Sequence, residues 1–115
     1  MTAGCRFCRI AEGKEDAEIV YQDEILTAFR DIAPQAPTHI LLIPNRHIPS
    51  LNAAEEDDRA VLGAMLLAAR QIAHDEGLDR DGYRLVINTG RDAGQSVRHL
   101  HLHILDGRQL SWPPG

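Results

Sequence analysis

The run Arg98-His99-Leu100-His101-Leu102-His103-Ile104-Leu105 alternates histidine and aliphatic side chains without a break. Period two is the period of a β-strand, so Leu100, Leu102 and Ile104 fall on one face and the three histidines on the other. Such a strand needs a sheet to pair with and a core to receive its aliphatic face. At a rise of about 3.3 Å per residue, neighbouring histidines of the series stand about 6.6 Å apart, and His99 and His103 about 13 Å. A straight strand cannot bring all three to one metal ion. The series should therefore divide, one end serving one site and the remainder another. Imidazole titrates near pH 7 and can act as nucleophile, acid or ligand with little perturbation. A solvated polar face is the plainer reading, and three histidines in register weaken it.

The rest of the chain supplies the sheet. Residues 18–21 and 25–29 are β-rich runs around Gln22-Asp23-Glu24 and read as a hairpin. Residues 39–43 form a third strand, set off by Pro34 and Pro37 and stopped by Pro44. Residues 83–88 and 98–105 complete five strands. A short helix carrying Phe7, Ile10 and Ala11 ends at Gly13. A longer helix is opened by Glu55-Glu56-Asp57-Asp58, continues through apolar positions spaced by threes and fours, and is closed by Gly77. The connections are too short for parallel crossovers, which predicts an α+β domain: an antiparallel sheet with the helices on one face.

At 115 residues the chain suits a single domain, spanning 1–115, with enough core to dispense with disulfides. Seventeen acids against twelve Lys and Arg give a formal charge of −5, which disfavours a nucleic-acid or anionic-membrane partner. No secretory signal pattern and no run of about 18 apolar residues is present, so a cytoplasmic location is expected. In a reducing compartment Cys5-Arg6-Phe7-Cys8 reads as a metal or redox pair before a disulfide. Its spacing suits zinc, provided a second half comes from elsewhere, with a redox dithiol or inert thiols as the alternatives.

The turn Gly94-Gln95-Ser96 precedes the histidine run and offers consecutive backbone N–H groups that can cradle a phosphate. No acid occurs from 93 to 105 in this acidic chain. The segment 95–105, with its His-x-His-x-His followed by two apolar residues, resembles the signature of the histidine-triad nucleotide-binding family. Residues 31–39 and the closing Trp112-Pro113-Pro114-Gly115 resemble its purine nucleoside phosphoramidase branch. The resemblance implies a five-stranded antiparallel sheet with two helices, dimerising into a continuous ten-stranded sheet.

It also implies a mechanism. His101 matches the nucleophile that attacks the α-phosphorus of a nucleoside phosphoramidate such as an AMP conjugate, forming a nucleotidyl-histidine that water then hydrolyses. Ser96 matches the donor to phosphate or leaving group, His103 a phosphate contact, and His39 a supporting histidine close to the nucleophile. Asp31 resembles the carboxylate that pairs with the ribose hydroxyls, and Ile32 a wall of the base pocket. Asn88, Gly94 and Gln95 match positions near ribose and phosphates, with Phe7, Ile10 and Leu41 as apolar lining. Trp112 resembles a tail residue that reaches the partner subunit of a homodimer. Cys5, Cys8, His47 and His99 match the ligands of a structural zinc in a bacterial branch, whereas the tail looks like the animal branch. Dinucleoside polyphosphate hydrolysis and a nucleotide-binding interaction module with incidental hydrolysis are the rival functions.

Overall fold

The computed structural model describes residues 4–115; residues 1–3, part of the N-terminal stretch expected to carry no secretory signal, lie outside it. Strands β1 (Ile19–Gln22), β2 (Leu26–Arg30), β3 (Thr38–Pro44), β4 (Arg84–Val86) and β5 (Leu102–Asp106) form one sheet in the order β1-β2-β3-β5-β4, every pair antiparallel. Two helices complete it, α1 (Arg6–Ala11) and α2 (Arg59–Asp75). No helix among the described residues is long and apolar enough to cross a membrane.

The helices lie on opposite faces of the sheet, contrary to the expectation of one covered face. β3 explains why. It reads Ile40-Leu41-Leu42-Ile43 without a polar interruption, and in a strand consecutive residues face opposite ways, so both faces must be covered. Leu26, Ala28, Ile40, Leu42, Leu102 and Ile104 pack with Met65, Ala69 and Ile72 of α2. Phe29, Leu41 and Ile43, from the other face, pack with Phe7 and Ile10 of α1. The histidine face of the last strand is thus turned toward a second small core, not toward solvent.

The histidine run is also only half a strand. β5 begins at Leu102, and the preceding residues 98–101 leave the ladder. β3 ends at Pro44, which has no N–H to donate, and the last register pair is Leu42 with Leu102. Beyond it the Leu100 N–H donates to the Ile48 carbonyl at 2.7 Å, and the His99 carbonyl is taken up by the His101 side chain. The strand expected over 83–88 shortens to three residues at the sheet edge.

Local signals account for the helix ends. Cys5 caps α1, its sulfur accepting the Cys8 N–H at 3.4 Å. At the other end Gly13 takes φ +76°, and Lys14 N–H closes back onto the Arg9 carbonyl at 2.8 Å. The acidic segment 55–58 does not start α2 but forms a 3₁₀ turn before it. There Asp58 accepts the Glu55 N–H at 2.8 Å and pairs with Arg46. A buried, ion-paired Asp58 anchors the turn, so the segment does more than face the helix dipole.

Candidate functional site

α1 crosses the sheet face that carries the histidines, and two clusters form along that contact. The first lies at the head of α1. Cys5 Sγ is 3.3 Å from His99 Nδ1, and Cys8 Sγ is 3.3 Å from His47 Nδ1 and 3.5 Å from His99 Nδ1. The two Nδ1 atoms are 3.2 Å apart, and all four ligand atoms lie within 4.8 Å of one another. A tetrahedral ion with bonds of about 2.3 Å to sulfur and about 2.0–2.1 Å to nitrogen spaces its ligands about 3.5 Å apart for sulfur–nitrogen and about 3.3 Å for nitrogen–nitrogen. The donor set fits those edges. His99 Nε2 donates to the Pro44 carbonyl at 2.8 Å, which leaves the Nδ1 lone pair turned to the cluster. Burial pushes the Cys8 thiol up to about 11 and His99 down to about 4, each toward its neutral form. A bound cation suits the neutral imidazole and draws the thiol to thiolate.

The second cluster joins His39, His101 and His103. The register sets His103 opposite Leu41 and His39 opposite Leu105, so both project from the α1 face. The Gln35 backbone N–H can only donate, and it donates to His39 Nδ1 at 3.0 Å. Neutral His39 therefore carries its proton on Nε2, which donates to His103 Nδ1 at 2.8 Å. His103 must then hold its proton on Nε2, and that atom is buried with no partner among the described residues. His101 is fixed in the opposite sense. Its Nδ1–H donates to the His99 carbonyl at 2.7 Å, leaving the lone pair on Nε2. Side by side stand an imidazole lone pair and an imidazole N–H, with ring centroids 5.0 Å apart.

Burial lowers the pKa of His39, partly offset by Asp31, whose carboxylate is 3.4 Å from His39 Nε2. Burial, then the neighbouring His101 and His39, bring His103 down to about 4. Both are neutral at pH 7, as the hydrogen-bond directions require. Asp31, His39 and His103 also approach within ligand range of one another. Their 2.8 Å nitrogen–nitrogen contact is a hydrogen bond and is shorter than the edge of about 3.3 Å between two ligands of one ion.

A cavity opens beside this cluster. His101, His103, Asp31, Ile32 and Ser96 line it, with Phe7, Ile10 and Leu41 as apolar wall. Arg6, Ala17, Phe29, Arg30 and Val97 also line it and were not singled out in the sequence. Phe29 was detectable in principle, since it alternates with Ala28 onto the α1 face. Arg6 and Ala17 depend on where α1 lies, which no local pattern gives. Asn88, Gly94, Gln95 and Trp112 are not among the lining residues. Gln95 instead pins its loop: its amide donates to the Pro49 and Val97 carbonyls, and its Oε1 accepts the Gly90 N–H. Asp31 also caps a turn, accepting the Ala33 N–H at 2.8 Å. Trp112 is 82% exposed, in a tail held by Arg84 through the Leu110 and Ser111 carbonyls.

His99 links the two clusters. Its ring joins the cysteines while its carbonyl sets the tautomer of His101. Phe7, between the two cysteines in sequence, packs edge-on against His101 at 5.3 Å and His99 at 6.0 Å.

The HIT domain matches residues 12–110. This chain belongs to the HIT family. A HIT-like protein of Synechocystis is 52% identical over 109 residues, 95% of each chain. The purine nucleoside phosphoramidase of Escherichia coli is 51% identical over 104 residues, 90% of this chain and 87% of that protein. The crystal structure of a HIT family hydrolase from Legionella pneumophila superposes with a TM-score of 0.95 at 50% identity, covering 97% of this chain and 100% of the other. With half its residues shared with such hydrolases over nearly its whole length, this HIT protein is an enzyme.

Proposed function

We propose that this HIT protein cleaves purine nucleoside 5′-phosphoramidates, conjugates of AMP or GMP type, through a nucleotidyl intermediate on His101. The observation that carries the reading is the opposed pair of tautomers. An in-line attack on phosphorus needs a lone pair at the nucleophile and a donor for the charge that builds on the phosphoryl oxygens. His101 Nε2 offers the first, and the His103 Nε2–H, without a partner among the described residues, offers the second. A buried N–H without an acceptor costs about 1–3 kcal/mol, a cost that a phosphoryl oxygen would remove. His101 Nε2 forms a bond to phosphorus as the phosphorus–nitrogen bond to the amine breaks. The amine keeps the bonding pair and takes a proton through Ser96 Oγ–H. Water then attacks phosphorus, the bond to Nε2 breaks, the nucleoside monophosphate leaves, and the water's proton replaces the one consumed. His39 keeps His103 in its donor tautomer. Asp31 and Ile32 at the cavity mouth suit ribose hydroxyls and a purine face, while Asn88, Gly94 and Gln95 act from the loop that borders the phosphates. The purine preference rests on the name of the Escherichia coli relative.

The cysteine and histidine cluster would hold zinc through Cys5, Cys8, His47 and His99. Its two sulfurs and two nitrogens are a zinc donor set, and four protein ligands leave no open position for catalysis. When bound, the ion would tie α1 to the segment that carries the nucleophile. The single domain would work as a homodimer. Edge strand β4 has an unpaired side, and Leu66, Leu67, Ile87 and Trp112 are exposed apolar groups for a partner to cover. The cytoplasm suits the free thiols.

Incubation with adenosine 5′-phosphoramidate should release AMP, and His101→Ala should abolish turnover while leaving the circular dichroism spectrum intact. Turnover at the wild-type rate in a folded His101→Ala protein would refute the assignment.

A further inference from the structure

Resting on the phosphoramidase reading, we propose that Arg108 is a positioning residue for the reaction, holding the Gln35 backbone so that His103 keeps its Nε2–H turned to the phosphoryl group. The neutral His39–His103 pair has two possible arrangements. With both protons on Nε2, His39 donates to His103 and His103 presents an N–H to the cavity. With both protons on Nδ1, His103 donates to His39 and presents a bare lone pair, which repels a phosphoryl oxygen. The 2.8 Å bond between the rings is satisfied either way. The choice is made on the far side of His39, where the Gln35 N–H occupies Nδ1 at 3.0 Å. The Asp31 carboxylate, 3.4 Å from His39 Nε2, pulls in the same sense from farther off.

The Gln35 N–H belongs to a segment with little else to fix it. Residues 32–37 lie between β2 and β3, outside the ladder, and all but Ala36 are exposed. Their other hydrogen bonds are local, from the Ala33 N–H to Asp31 and from the Gln35 amide to the Ala33 carbonyl. Among the described residues, the hydrogen bond that ties the segment to a distant part of the chain runs from Arg108 Nε to the Gln35 carbonyl at 3.0 Å. The turn that carries Arg108 is itself seated against the segment. Gly107 lies so close to Pro37 that a Cβ would stand 2.6 Å from Pro37 Cβ, and Arg108 Nη1 donates to the Gln109 carbonyl at 3.2 Å. Arg108 does not line the reaction cavity, so its influence passes along Gln35, His39 and His103.

Arg108→Ala should lower kcat on adenosine 5′-phosphoramidate about three- to tenfold, equivalent to the roughly 0.6–1.4 kcal/mol that one hydrogen bond contributes. KM should change less, because charge on the phosphoryl oxygens grows toward the transition state. Arg108→Lys retains a donor for the Gln35 carbonyl and should recover most of the rate. Arg59→Ala, which deletes an exposed arginine paired with Glu56, should leave it unchanged. Nitrogen NMR of histidine-labelled protein at pH 7.5 reads the tautomer without substrate. His103 Nε2 should carry the proton in wild type and in Arg108→Lys, and Arg108→Ala should shift toward the unprotonated signature. Wild-type kcat in Arg108→Ala, or a slowed variant whose His103 Nε2 keeps its proton in full, would overturn the assignment. A wild-type protein that turns over no phosphoramidate would sink the phosphoramidase reading instead, and the NMR comparison would still decide whether Arg108 sets the tautomer.

Discussion

Phe7 is where helix, core and proposed nucleophile meet, so Phe7→Ala tests all three. The ring is 4% exposed and packs edge-on against Phe29 at 5.3 Å and His101 at 5.3 Å, with interplanar angles of 70° and 87°. Truncating a buried Phe costs about 3–5 kcal/mol, and the edge contacts, worth about 0.5–1.5 kcal/mol each, place this site in the middle of that range or above it. A loss of about 4 kcal/mol compares with a total of about 6–17 kcal/mol for a domain of this length, so the variant should fold and be visibly weaker. With a urea slope of about 2 kcal/mol/M the midpoint should fall by about 2 M. Phe7→Leu refills most of the volume and should recover more than half of the loss. Because the ring also braces His101, kcat on adenosine 5′-phosphoramidate should drop in Phe7→Ala under conditions where the protein is fully folded. A midpoint within 0.5 M of wild type would mean that α1 is not packed as described. A weakened protein with unchanged kcat would mean that Phe7 does not hold the proposed nucleophile.

Gly107 takes φ +102°, and a Cβ there would lie 2.6 Å from Pro37 Cβ. Gly107→Ala should therefore cost about 3 kcal/mol from strain and overlap together, read as a lowered melting temperature, and an unshifted melt would contradict it. His39 and His103 titrate below the ordinary histidine value in the folded chain, His103 at about 4. The unfolded chain therefore binds more protons as pH falls through about 6.5, so their stabilisation is complete above that pH and is lost on the way down to about 4. Urea midpoints should be lower at pH 5.5 than at pH 7.5, and equal midpoints would count against the buried neutral pair. Treatment with a strong chelator should speed hydrogen exchange at the amides of Arg9 in α1 and Glu12 at its C-cap, which donate to the Cys5 and Cys8 carbonyls, and leave the β2–β3 ladder protected. Unchanged exchange in a protein shown by elemental analysis to have lost zinc would remove the metal's proposed role in holding α1.

Particular residues show where the sequence was legible. The hairpin of β1 and β2 and the strand β3 were readable to within a residue or so because turn residues and prolines bound them. Gly13 marked the end of α1 because the turn there needs a positive φ. The alternation of Leu100, Leu102 and Ile104 identified the core face, and all three are buried. The conformation of residues 98–101 was not legible. It depends on the Pro44 end of β3 and on a bond from His101 to the His99 carbonyl, neither of which follows from period two. Two-sided burial was written in β3 as an unbroken apolar run, but a run alone does not say which helix covers which face. For the site, spacing singled out Cys5 and Cys8 and the alternating His99, His101 and His103, the family resemblance added His39 and His47, and the structure brings each group together. The tautomers, and a His103 Nε2 buried with no partner among the described residues, are products of tertiary placement.

The central claim is that His101 Nε2 becomes covalently nucleotidylated. Rapid acid-free quenching of the wild-type enzyme with an adenosine phosphoramidate, followed by digestion and mass spectrometry, addresses it directly. The peptide containing His101 should carry the mass of an adenylyl group at early times and lose it as AMP accumulates, and His101→Ala should carry none. An adduct on another residue, or steady AMP release with every trapped peptide unmodified, would contradict the account.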